Sequence, residues 1–131
     1  MFEDPSVNTQ AALKSYAKVQ YRSNVDVASP HKLIDMLFDG AIERIAQAKG
    51  AMQFGDIALK GQKISSAVSI VGGLRESLNT EAGGELAHNL DNLYLYIQRI
   101  LASAHSKNEP KYLDEAAVLL GDLHSAWKQI G

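Results

Sequence analysis

Ala28-Ser29-Pro30-His31-Lys32-Leu33-Ile34-Asp35-Met36-Leu37-Phe38-Asp39-Gly40-Ala41-Ile42 opens as a helix start and continues more apolar than a one-sided helix requires. Ser29 can cap a free backbone N–H, and Pro30 falls at the first helical position, where a missing donor costs nothing. Leu33, Ile34, Met36, Leu37 and Phe38 then cover well over half of the helix circumference. Gly40 sits inside this helix at a cost of about 1 kcal/mol relative to alanine, which points to a close approach at that position. A helix apolar on more than one side in a small protein takes a central position or holds a partner.

The same periodicity extends in both directions. From Pro30 to about Phe54, Ile34, Phe38, Ala41, Ile45, Ala48 and Met52 recur at alternating steps of four and three. Asp56 to about Leu78 carries Ile64, Ala67, Val71, Leu74 and Leu78, and Glu85 to about Ser106 carries Leu86, Leu90, Leu93, Ile97, Ile100 and Ala104. Pro110 to about Ile130 carries Leu113, Ala116, Leu120, Leu123, Trp127 and Ile130. Short breaks at Gly55-Asp56, at Asn79 to Gly84 and at Asn108-Glu109-Pro110 force neighbouring helices to run in opposite directions. The fold class is all-α: an antiparallel four-helix bundle. Before it, Thr9 to Tyr21 reads as a short amphipathic helix with Ala12, Leu13, Tyr16, Val19 and Tyr21, joined through a polar linker at Arg22 to Asp26. Residues 1–24 are therefore expected to form a flexible N-terminal arm, and residues 25–131 the bundle. The Gly72-Gly73 pair inside the third segment reads as a close helix crossing or a kink.

Composition excludes several function classes. With 131 residues the chain has one core, and with no cysteine it has neither disulfides nor thiolate metal ligands. A formal net charge of −2 with both signs dispersed gives no footprint for nucleic acid or anionic lipid. The start of the chain is acidic and polar rather than a secretory signal, and no apolar run reaches membrane-span length, so a cytosolic protein with no membrane insertion is expected. Glu85-x-x-His88 matches one half of a carboxylate-bridged di-iron site, but no second copy follows, and His88 and Asp91 read as a solvated face. His31, His88, His105 and His124 are scattered without zinc-ligand spacing. Gly55 to Lys63 lacks the spacing and the strand of a phosphate loop, no nucleophile elbow is present, and neither His31 nor His124 fits a phosphotransfer pattern. The reading is a non-enzyme with no cofactor.

The positive signal is surplus apolar surface. Leu33, Met36 and Leu37 flank the strict core stripe, and Leu95, Tyr96, Val118 and Leu119 do the same further along. With Tyr16, Val19 and Tyr21 on the arm they suggest a groove for partner helices. Asp39 and Gly40 join the candidate surface as a polar contact and a close-packing point. A regulatory or metal-binding bundle of unrelated function is the alternative.

Ordered segments also carry a resemblance. Tyr16-Ala17, Ala28-Ser29-Pro30 with Leu33, and Met36 to Ile42 are followed by Gly73-Leu74-Arg75 with Ser77-Leu78. Then come Gly83 to Ala87, Asn89-Leu90, Leu93-Tyr94 and Tyr96, and finally Leu101, Ala104, Asn108 and Ala126-Trp127-Lys128. In this order, over roughly residues 16–130, the chain resembles the FliS family of flagellar secretion chaperones. The longer extension before Tyr16 and His105-Ser106 depart from the family pattern and do not touch the presumed binding helix. The resemblance implies a cytosolic export chaperone that lays the disordered C-terminal segment of flagellin along the bundle as helical pieces. Flagellin is thereby kept from polymerising and delivered to the flagellar type III export apparatus. The export gate protein and an anti-sigma factor are further partners it implies, and self-association of the free protein as a homodimer stays open.

Overall fold

The computed structural model describes residues 29–130, so the expected arm with Tyr16, Val19 and Tyr21 lies outside the described residues. Four helices follow one another: α1 (Pro30–Phe54), α2 (Ile57–Glu76), α3 (Thr80–Lys107) and α4 (Pro110–Ile130). Local chemistry sets their ends. The Ser29 side chain accepts from the Lys32 N–H at 3.1 Å, with Pro30 in the first turn. At the other end Gly55 takes φ 75°, and the Gly55 and Asp56 N–H groups bond back to Met52 and Ala51 as a Schellman turn. Asp56 then caps α2 by accepting from Leu59 N–H, and Asn79 caps α3 by accepting from Ala82 N–H.

α1 and α3 each pack against α2 and α4, so the helices form a square with successive helices adjacent. Phe38, Val71, Leu74, Ile97, Leu101, Leu113 and Leu120 fill its centre and are buried almost completely. Each such side chain stabilises the fold by about 1.5–3 kcal/mol relative to exposure. Gly73 is buried within an unbroken α2, which fits close packing at the glycine pair rather than a kink.

Three expectations change. α3 starts at Thr80 rather than Glu85, because Asn79 nucleates a turn that Gly84 joins to the rest of the helix through φ 57°, ψ −134°. That backbone is open only to glycine, and an added Cβ on neighbouring Gly83 would stand 2.7 Å from the Ala87 Cβ. Met36 and Leu37, read as flanking the stripe, are buried, because α1 faces two neighbours and its buried arc is correspondingly wide. Asp91, read as a solvated position, instead pairs with Arg75 of α2 at 2.8 Å.

α2 and α3 are also pinned at their far end. Lys60 is buried, and its ammonium donates to the Asn108 Oδ1 at 2.9 Å and to the His105 carbonyl at 3.3 Å. A cation thus sits at the negative end of the α3 dipole. Gly61 permits the approach: a Cβ there would meet the His105 ring at 3.2 Å.

Candidate functional site

The alternating helix directions bring the start of α1, the end of α2, the start of α3 and the end of α4 to one end of the bundle. There the four apolar stripes continue without closing on one another. The result is a groove of about 600 Å³. Pro30, His31, Leu33, Ile34, Leu37 and Phe38 line it from α1, and Ser77 and Leu78 from the α2–α3 connection. Leu90 and Tyr94 of α3 and Leu123, Ala126, Trp127 and Ile130 of α4 complete it. Its volume and apolar lining suit several large side chains of a helix laid across it.

Two clasps hold α1 and α4 together at this groove. His31 Nε2–H donates to the Trp127 carbonyl at 2.9 Å, and Trp127 Nε1–H donates to the His31 carbonyl at 3.0 Å. Their rings stack with centroids 4.7 Å apart. One layer deeper, His124 Nε2 donates to Asp35 Oδ1 at 2.6 Å, while its Nδ1 lies 3.7 Å from Asp39 Oδ1. The His124 ring also stacks on Phe38, 5.3 Å between centroids, and Phe38 is part of the groove lining. The hydrogen bond from His124 holds the Asp35 carboxyl below its ordinary value of 3.8, opposed by burial and reinforced by charge attraction to His124 and Lys32.

Asp35, Asp39 and His124 are also the one set of side chains among the described residues with metal-ligand spacing, their ligand atoms within 4.8 Å of one another. The two ring nitrogens face different carboxylates, however, and one of them is already engaged in a short hydrogen bond. That arrangement suits a clasp between α1 and α4 better than a single ion held by all three.

The candidate residues divide. Leu33 and Leu37 line the groove, whereas Met36, Asp39, Gly40, Leu95 and Tyr96 do not. Gly40 is buried, and a Cβ added there would meet only ordinary contacts, the nearest being Ile70 Cδ1 at 3.5 Å. Leu95 is half-buried on α3. Tyr96 is exposed and donates its hydroxyl to the Glu115 carboxylate of α4, which raises the phenol above its ordinary value. Much of the lining reads in sequence as core: Ile34, Phe38, Leu78, Leu90, Leu123, Trp127 and Ile130 continue the strict spacing. Periodicity identifies the inward face of a helix but not the point along the axis where the bundle opens. Leu86 and Ile130 show the same effect in full, at 69% and 74% exposed.

The chain is similar to known proteins over most of its length. Residues 12–131 match the profile of the family described as flagellar protein FliS. The chain is 46% identical over 119 residues to the flagellar secretion chaperone FliSB of Pseudomonas aeruginosa, covering 91% of this chain and 94% of the relative. It is 42% identical over 121 residues to the flagellar secretion chaperone FliS of Vibrio cholerae, covering 92% and 89%. The corresponding protein of Salmonella typhimurium is 42% identical over 123 residues, covering 93% and 91%.

Proposed function

The chain belongs to the FliS family of flagellar proteins, and from that premise we propose that it is the export chaperone of flagellin, holding the C-terminal segment of its cargo as a helix in the groove at the open end of the bundle. The observation that carries the reading is the groove itself: four core stripes end there without closing on one another, with no Lys, Arg, Asp or Glu among the described lining residues. An amphipathic helix laid across it completes the core that the four helices leave open. Flagellin bound in this way is kept from polymerising and is presented to the export apparatus. Docking to the export gate and contact with an anti-sigma factor belong to the same reading. No described helix is long and apolar enough to cross a membrane. A cytosolic site of action belongs to the same reading.

Ordering the cargo segment opposes much of the apolar gain, so binding is tight yet reversible. Co-elution of the full chain with the flagellin C-terminal segment in size-exclusion chromatography tests the reading. Leu123→Ala in the lining should weaken that complex by about 1–2 kcal/mol. Val118→Ala, exposed on α4 and outside the groove, should leave it unchanged. Equal effects of the two substitutions would place the cargo elsewhere on the bundle.

A further inference from the structure

Among the described lining residues four side chains carry polar atoms: His31, Ser77, Tyr94 and Trp127. Three are engaged within the fold. His31 and Trp127 bond to each other's carbonyls, and the Ser77 hydroxyl donates to the Leu74 carbonyl at 2.6 Å. Tyr94 differs. It is only 5% exposed, yet it makes no hydrogen bond to any described residue. No described side-chain oxygen or nitrogen that is sealed from solvent lacks a partner. The Tyr94 hydroxyl therefore keeps access to solvent, and the groove is the open space that Tyr94 lines.

Resting on the reading that a cargo helix occupies the groove, we propose that the Tyr94 hydroxyl is the groove's recognition point, donating a hydrogen bond to an uncharged oxygen on that helix. Burial pushes the Tyr94 phenol up to about 12, so the group is an O–H donor throughout the neutral range. Among the described lining residues there is no lysine or arginine to compensate a carboxylate, so the complementary acceptor is neutral. It is a side-chain carboxamide or hydroxyl, or a backbone carbonyl left open at a helix turn. A helix with a wholly apolar face would strip water from Tyr94 and return nothing. The hydroxyl thereby selects against apolar helices that would otherwise fit.

The test is a calorimetric titration of the full chain and of Tyr94→Phe with a synthetic peptide of the flagellin C-terminal segment. Tyr94→Phe should weaken binding about three- to tenfold. Its melting temperature should be unchanged or higher, since no hydrogen bond within the described fold is lost. Equal or tighter binding by Tyr94→Phe overturns the inference and leaves the groove reading standing. Weaker binding accompanied by a lower melting temperature also overturns it, because the hydroxyl would then be supporting the fold. No binding by the unsubstituted chain removes the groove reading and the inference together. Replacing each Asn, Gln, Ser and Thr of the peptide in turn identifies the acceptor. A replacement that abolishes the difference between Tyr94 and Phe assigns it to that side chain, and a difference surviving every replacement assigns it to the backbone.

Discussion

At the residue scale His124 does more than its place in the sequence suggests. It is separated from Asp35 by 89 positions, so no local motif joins them, and only the antiparallel packing of α1 and α4 brings the two together. Its ring backs Phe38 on one side of the groove, and its Nε2 satisfies Asp35. His124→Ala should lower stability by about 1–3 kcal/mol in a denaturant titration, through lost stacking on Phe38 and loss of the hydrogen bond to Asp35. The Asp35 pKa is depressed in the folded state, so this carboxylate stabilises the fold above its ordinary value of 3.8. That contribution is lost as pH falls through the lower folded value. Asp35→Asn should accordingly be less stable than the parent at neutral pH, with the gap closing below about pH 4 in melts run as a pH series. Phe38, at 2% exposed, was legible as core from its place in the stripe, and its second role as groove wall was not.

At the scale of single helices the sequence is most transparent where one residue type has one physical use. Ser29-Pro30, Gly55-Asp56 and Pro110 mark helix ends by capping and by missing donors, and the structure uses all of them in that way. Asn79 to Gly84 was opaque for an equally physical reason. Two adjacent glycines signal a break, and here the break is a single residue inside a helix that an asparagine cap had already started. Gly84→Ala should cost about 1–3 kcal/mol, since φ 57° with ψ −134° is a backbone that alanine rarely adopts. Gly40 should behave in the opposite sense. Its backbone is helical and its surroundings admit a methyl group, so Gly40→Ala should stabilise α1 by up to about 1 kcal/mol. Thermal melts of the two variants separate a glycine required by backbone geometry from one that is not.

At the scale of the whole molecule, the up-down square followed from four apolar stripes and short connections. The groove did not. Leu78, Leu90, Leu123 and Trp127 look in sequence like any other core position, and closure of a bundle depends on the splay of helices that no local pattern encodes. Leu33 and Leu37 were legible as surplus because they lie beside the stripe, and much of the rest of the lining was concealed within it. The central claim is that this open end is completed by a cargo helix. Its most direct test is calorimetric titration of the full chain with the flagellin C-terminal segment at several temperatures, with circular dichroism on the same samples. The account predicts one-to-one binding, a gain of helix and a negative heat-capacity change from apolar burial. Binding with neither helix gain nor a heat-capacity change, or no binding at all, would contradict it.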